Sequence, residues 1–267
     1  MVNVSIVIYK SSWKEIEKLI SVLNLEKIVN KIFIIDNSPY FLQNIPNNID
    51  KLNYKKNDKN LGYGAAHNVA IQYSIDDGIN YHVILNPDIQ IHNGDLDSIF
   101  RFVDKENTIG LIMPKIIYNN RDIQYLCKLL PTPFDLFIRR FLYGSLKKIF
   151  QAKLDRYELK HKDYNSIMNV PSLSGCFMFC RTEALKKVNG FDERFFMYLE
   201  DVDLTRRIAE YFKTVYYPLI TIKHEYRKES YKSFKLLKHH IISAIKYFNK
   251  WGWFFDKKRK IINSKLE

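Results

Sequence analysis

Residues 81–88 read Tyr-His-Val-Ile-Leu-Asn-Pro-Asp, an apolar run that leaves through a turn-forming Asn-Pro pair into a carboxylate. A strand buried on both faces of a parallel sheet carries this pattern, apolar along its length and polar as soon as the chain emerges. Pro87 holds the exit extended and turns Asp88 outward. The same grammar recurs upstream. Residues 4–9 (VSIVIY) are a β-rich run, and residues 31–36 (KIFIID) end in Asp36 before the turn cluster Asn37-Ser38-Pro39. Between them Trp13, Ile16, Leu19, Ile20 and Leu23 fall on one helical face. Residues 52–54 read as a weaker strand, 64–75 and 96–103 as helices, and 109–118 as a bent strand or a strand pair. This alternation predicts an α/β fold with a mostly parallel central sheet flanked by helices. Ligands of such sheets bind beyond the carboxyl ends of the strands, where Asp36 and Asp88 both fall. Asp36 has a second reading, an Asx turn or helix cap closing its strand.

The chain has 267 residues, 46% hydrophobic and 27% charged, with only nine Gly and eight Pro. Disordered, collagen-like and low-complexity classes are excluded, and a chain this long buries a full core without staples. Its formal charge of +13 is local, because residues 223–267 carry 13 Lys and Arg against four Asp and Glu. Cys127, Cys176 and Cys180 make neither a disulfide framework nor a zinc site, and read as reduced thiols in a cytosolic setting. The N-terminus lacks the pattern of a signal peptide. No stretch approaches the roughly 18 to 20 apolar residues that span a bilayer, so contact with a membrane is expected from one side.

Three further segments offer chemistry. Asn60-Leu61-Gly62-Tyr63-Gly64-Ala65-Ala66-His67-Asn68 is a glycine-rich entry to a helix, which is either a phosphate-binding N-terminus or a plain loop. It is neither GxGxxG nor a Walker A loop. Residues 190–207 (GFDERFFMYLEDVDLTRR) bring Phe195, Phe196 and Tyr198 up to Glu200-Asp201-x-Asp203 at a helix start. Acids there suit the helix dipole, yet a carboxylate beside aromatic walls also tends toward the raised pKa of a general base. His224 ends a strand-like run, where a nitrogen ligand could complete a metal shell with Asp88.

Taken in order, VSIVIY, IIDNS, NLGYGAAHN, NPD, SGCFMFCRTEAL, GFDERFFMYLEDVDLTRR and the late His resemble the family 2 glycosyltransferases of the GT-A fold, especially their bacterial rhamnosyltransferase-like branch. The likeness runs over about residues 2–230. It implies a Rossmann-like GT-A domain over residues 1–230, with residues 231–267 as a basic aromatic helical tail packed on the same domain. The implied activity is inverting transfer of a sugar, rhamnose before galactose, glucose or N-acetylhexosamine, in bacterial surface polysaccharide synthesis. The donor would be a dTDP- or UDP-linked sugar, and the acceptor a hydroxyl of a glycan or a polyprenyl-diphosphate-linked sugar. By the same likeness Ile8, Tyr9, Asp36, Asn60, Gly62, Tyr63, Gly64, Asn68 and Asn86 would line the nucleotide pocket. Gly175 and Cys176 would shape the donor-sugar wall. Asp88 and His224 would hold Mg²⁺ or Mn²⁺. Asp201, paired with Glu200, would be the acceptor-activating base. Two departures stand out: Asn86 replaces the first acid of the family's DxD motif, and His67 stands where many relatives carry Arg.

In the tail Phe234, Leu237, Ile241, Ile245 and Phe248 follow helical spacing, with Lys235, Lys238, His239, Lys246 and Lys250 on other faces. Trp251, Trp253, Phe254, Phe255 and Lys257-Lys258-Arg259-Lys260 follow. Such a segment suits an anionic membrane on the cytoplasmic side, with the aromatic and basic residues 134–150 on the same surface. A helix packed on the core with a solvated Lys face is the other reading. Nucleic acid is not expected as a partner, because no recognition module is present and the strand-end acids would repel phosphates. An inactive scaffold is disfavoured by the intact Asp88, Asp201 and His224.

Overall fold

The computed structural model describes residues 1–142, 148–225 and 234–266. The strands are β1 (Val2–Ile8), β2 (Val29–Asp36), β3 (Leu52–Lys56), β4 (Tyr81–Leu85), β5 (Ile89–Gln90), β6 (Ile109–Ile117), β7 (Met168–Asn169), β8 (Phe177–Arg181) and β9 (Lys213–His224). The helices, numbered along the described chain, are α1 (Trp13–Leu25), α2 (Tyr63–Asp76), α3 (Asp95–Val103), α4 (Pro133–Phe141), α5 (Gln151–Tyr157), α6 (Thr182–Lys187), α7 (Glu200–Ile208), α8 (Phe234–Trp251) and α9 (Lys257–Ser264).

All strands join one sheet in the order β3-β2-β1-β4-β8-β6-β9-β5, with β7 on β9. The apolar runs read from sequence form its parallel half: β1 lies between β2 and β4, and β3 runs parallel outside β2. The second half is mixed, since β8 runs antiparallel to β4 and β6 while β6 and β9 are parallel. Residues 109–117 are one bent strand, its register shifting between Pro114 and Lys115, where proline removes a ladder donor.

The topology assembles the site. Ile8 pairs with Asp36, and Leu85 pairs with Phe177, so β1, β2 and β4 end where the antiparallel β8 begins. That reversal brings Gly175 and Cys176 to the strand ends that carry Asp36 and Asn86-Pro87-Asp88. Immediately after Asp88, Ile89 pairs with His224 and draws the distant end of β9 to the same edge.

The main core lies around the sheet, with Ile6, Ile34, Val83, Leu111 and Phe179 fully buried. A second apolar cluster joins Leu130, Leu136, Phe195, Leu199 and Val202 to Tyr247 and Phe248 of α8. The described part of the tail therefore packs on the body that carries Glu200 and Asp201. The boundary expected at residues 230/231 lies outside the described residues, as do residues 143–147 of the aromatic basic segment. The face of α8 that packs is shifted from the one read from periodicity and shares Phe248 with it. Ser243, Tyr247 and Phe248 are buried, whereas Phe234, Ile241 and Ile245 are exposed. Polar anchors decide this: Ser243 donates to the Met197 carbonyl at 2.7 Å, and Arg206 donates to the Tyr247 hydroxyl at 3.3 Å. No helix among the described residues is long and apolar enough to cross a membrane.

Candidate active site

The glycine-rich entry to α2 is held from two sides. Asn37, which the sequence reading left as a turn residue, donates from its side chain to the Gly62 carbonyl at 3.0 Å and accepts from the Leu61 amide and from Asn57. Asn60 accepts from the Gly62 amide at 2.9 Å, closing an Asx turn. On the other side the Tyr63 amide donates to the Phe196 carbonyl at 2.9 Å. Gly62 is required here twice over. Its φ is +87°, and a Cβ would lie 2.2 Å from the Phe196 oxygen. This close approach locks the loop to the segment preceding Glu200.

Gly175 joins three of the motifs. Its amide donates to Asp201 Oδ2 at 2.9 Å, and its carbonyl accepts from the Tyr63 hydroxyl at 2.6 Å. Burial, and then the nearby Glu200, push the Tyr63 phenol well above its ordinary pKa, so it stays a donor. Asp201 Oδ1 accepts from the Val202 amide. Asp201 is thus oriented at the start of α7, partly buried, with its remaining lone pairs available to a hydroxyl. Tyr198 and Leu199 precede it at φ values of 71° and 65°, two non-glycine residues in the left-handed region. Strain of this kind, on the order of 1–3 kcal/mol per residue, persists where surrounding packing demands it. Glu200 differs from its neighbour. It is buried, its Oε2 has no hydrogen-bond partner, and burial followed by Asp201 raises its pKa far above the carboxylate range. A carboxyl so placed favours its neutral form.

Asp88 and His224 meet as the β5–β9 pairing requires. His224 Nε2 lies 3.2 Å from Asp88 Oδ1, and that buried oxygen makes no hydrogen bond. Gln124, also missed from sequence, fixes the ring: its Oε1 is 3.0 Å from His224 Nδ1, and its Nε2 donates to the His224 carbonyl. Burial lowers the pKa of His224, but the adjacent Cys176 and Asp88 outweigh it and raise the value to about 10. Among the described residues no group of three or more His, Cys, Asp or Glu could hold a metal. Asp88 Oδ1 and His224 Nε2 converge, so a cation that takes most of its shell from diphosphate and water would fit between them by displacing the proton the His224 ring carries at Nε2. Asn86 Nδ2 lies 3.5 Å from His224 Nε2, at the outer limit of hydrogen bonding.

The remaining residues expected at a nucleotide pocket fall into two groups. Tyr9 is exposed at the strand end, whereas Ile8 is buried in the core and its carbonyl accepts from Asn37. Asp36 accepts from the Tyr54 hydroxyl at 2.6 Å and the Ser38 amide at 2.8 Å, so the Asx turn is present. Asn68 brackets Phe191, accepting from its amide and donating to its carbonyl, and a Cβ on Gly64 would strike the Phe191 ring. Asp36 and Asn68 thus spend these hydrogen bonds on the loops around them. His67 is fully buried, with Nδ1 2.7 Å from the Ser5 hydroxyl, and makes no approach to a diphosphate. A separate groove of about 950 Å³ runs between α2 and residues 188–193, lined by Lys59, Asn68, Asp192, Arg207 and Lys250.

A strand-end acid with a histidine, a carboxylate at a helix start and a glycine-rich loop in one α/β sheet define the GT-A class of transferase. Solved structures with this fold include GalNAc-T7 with UDP, GalNAc and Mn²⁺ (TM-score 0.59, 12% identity, covering 85% of this chain and 43% of that one). Another is S. aureus TarS 1-349 (TM-score 0.59, 15% identity, 99% and 70%). The profile described as Glycosyl transferase family 2 matches residues 4–188, and the chain belongs to that family of enzymes. A second profile, described as the N-terminal domain of galactosyltransferase, matches residues 155–235. Among curated relatives, Rhamnosyltransferase WbbL of Escherichia coli (strain K12) is 27% identical over 202 residues, covering 73% of this chain and 72% of its own length. The N-acetylglucosaminyl-diphospho-decaprenol L-rhamnosyltransferase of Mycobacterium tuberculosis (strain CDC 1551 / Oshkosh) is 27% identical over 184 residues, and this chain spans 62% of itself and 56% of that protein.

Proposed function

We propose that the protein transfers a sugar, rhamnose as the best reading, from a dTDP- or UDP-linked donor to a hydroxyl of a glycan or polyprenyl-diphosphate-linked acceptor, with inversion at the anomeric carbon. The observation that carries this reading is the Tyr63–Gly175–Asp201 bridge, which ties Asp201 to the segment whose Cys176 carbonyl accepts from the Asn86 amide, two residues before Asp88. Asp201 takes the proton of the attacking hydroxyl as the new bond forms, so it must stand on the face opposite the departing diphosphate. Asp88 and His224 are the residues that would hold Mg²⁺ or Mn²⁺, whose charge stabilises the diphosphate when bound. Burial, and then Asp201, raise the pKa of Glu200 well above the carboxylate range, so Glu200 favours its neutral form and Asp201 is the better candidate for the base. The rhamnosyltransferase names of two relatives support the sugar, and the tail's charge supports work at the inner face of a bacterial membrane in surface polysaccharide synthesis.

A panel of dTDP- and UDP-sugars, scored by donor hydrolysis and thermal shift with Mg²⁺ or Mn²⁺, tests the reading. dTDP-rhamnose should give the largest response. Silence across the panel refutes the donor class, and a larger response to a UDP-hexose replaces rhamnose with that sugar.

A further inference from the structure

The contacts of α8 divide the basic tail into an inner and an outer side. Ser243, Tyr247 and Phe248 are buried against the body, and Trp251 donates from its indole to Asp203 Oδ1 at 2.8 Å. Phe234, Lys238, Ile241, Ile245 and Asn249 recur at helical spacing in a separate row, and all five are exposed. The row does not stop where the helix does. Trp253 donates from its indole to Asn249 Oδ1 at 2.8 Å, which seats the ring at the end of that row. Phe254 and Phe255 follow at 70% and 94% exposure, and Phe234 opens the row at 92%.

The turn carrying these rings is held from beneath. The Gly252 amide donates to the Phe248 carbonyl at 2.8 Å, and at φ +97° a Cβ there would lie 2.9 Å from the Phe255 oxygen. Buried Arg259 donates to the Gly252 and Trp253 carbonyls at 3.5 and 3.2 Å, and Asp256 is fixed by Arg206. An ordered backbone therefore presents Phe254 and Phe255 to solvent.

Charge follows the same division. Residues 234–266 hold nine Lys and Arg and one carboxylate, Asp256, which is buried against Arg206. On the body side Lys250 pairs with Asp192 and Asp203, and Lys258 pairs with Glu210. Lys235, Lys238, Lys257 and Lys260 are exposed and form no ion pair among the described residues. A second copy of the chain would bring the same cations face to face, which like-charge repulsion disfavours. An anionic bilayer interface takes aromatic rings at headgroup depth and lysines against phosphate at once.

We propose that the outer row of α8 and the Trp253–Phe255 turn are a docking surface for an anionic phospholipid bilayer. The surface rests on the transferase reading for its purpose. Trp251 and Asp256 hold it to α7, so docking sets Asp201 at a fixed height relative to the lipid.

The test mixes the full chain with vesicles of phosphatidylcholine alone or with about 30% phosphatidylglycerol, and reads binding by flotation and tryptophan emission. The chain should bind the anionic vesicles about tenfold or more tightly than the neutral ones at about 0.1 M salt, and lose most of that gain at about 0.5 M. Phe254→Ser/Phe255→Ser should weaken anionic binding about tenfold or more, with an unchanged melting curve because both rings are exposed. Equal binding to both vesicle types, or an unaltered affinity in the folded phenylalanine variant, overturns the surface. So does a chain that ignores vesicles yet forms a dimer that the phenylalanine variant abolishes. If that variant melts early, Lys257→Gln/Lys260→Gln replaces it and should weaken anionic binding about fivefold or more; no change overturns the proposal. UDP binding with Mn²⁺, titrated without vesicles, reports on the donor reading, so the two failures are distinguishable.

Discussion

Arg206 of α7 and Asp256, which caps α9, are joined by two charge-assisted hydrogen bonds of 2.8 and 3.0 Å at side-chain exposures of 2% and 4%. Trp251 covers the guanidinium at 3.9 Å, and Asp256 also accepts from the Arg259 amide. The pair ties the basic tail to the helix that presents Asp201. Removing one member of a buried pair leaves an uncompensated charge, at a cost of about 3–5 kcal/mol. Asp256→Ala should therefore lower stability by about 3 kcal/mol in urea unfolding, and Arg206→Met/Asp256→Leu should recover much of that loss. A loss below about 1 kcal/mol in the single variant contradicts a buried pair.

Asp201→Asn retains an oxygen that can accept from the Gly175 amide, so the wall survives while the base does not. Transfer should fall by roughly 10²–10⁴-fold, the usual worth of a general base. Nucleotide affinity, read by titration with UDP and Mn²⁺, should hold within about threefold of wild type, a change of well under 1 kcal/mol. Near-normal turnover would remove Asp201 from the reaction.

Gln124 holds the His224 ring and carbonyl together. Loss of a side chain that orients a metal ligand typically costs about 10–100-fold in metal affinity or activity. Gln124→Ala should raise the Mn²⁺ concentration for half-maximal activity within that range, and Gln124→Glu should restore part of it. An unchanged metal titration separates His224 from the cation.

Acid should unfold the protein through two buried histidines. Burial lowers His82 to about 3 and His67 well below its ordinary value, and the Ser5 hydroxyl lies within 2.8 Å of both rings. The unfolded chain protonates both near pH 6.5 while the fold refuses the protons, so their contribution is complete above that pH and is lost as pH falls below it. Each depressed histidine adds a slope of about 1.4 kcal/mol per pH unit, so stability should drop by roughly 2 kcal/mol between pH 7 and 5.5. Urea midpoints at the two pH values, compared with those of a folded His82→Gln variant, read the slope; an equal slope in both assigns the acid lability elsewhere.

Much of the frame was legible in the order of residues because it is local. The apolar runs at 4–9, 31–36 and 81–85 fall in strands, the 109–118 run is one bent strand, and Asn86-Pro87-Asp88 leaves β4 at the edge to which β5 brings His224. Less was legible where a polar residue could serve the backbone or a ligand equally well. Asn68 and His67 sit in a motif yet spend their side chains on Phe191 and Ser5, a choice made by neighbours 123 and 62 positions away. Gln124 carried no motif at all, and Asn37 read only as part of a turn, since a single amide has no periodicity to betray its distant partner.

By itself the sequence determined the α/β class, the acids at the strand ends and the concentration of charge in the last 45 residues, because periodicity, turn chemistry and composition act over a few neighbours. Only the tertiary structure decided which of those acids meet and how each behaves. An antiparallel β8 delivers Gly175 to Asp201, and the β5–β9 pairing delivers His224 to Asp88. Burial separates Glu200 from its neighbour Asp201, and the Arg206–Asp256 pair binds the tail to the body. Pairing register and desolvation are properties of chain segments brought together from far apart, and adjacent letters do not encode them.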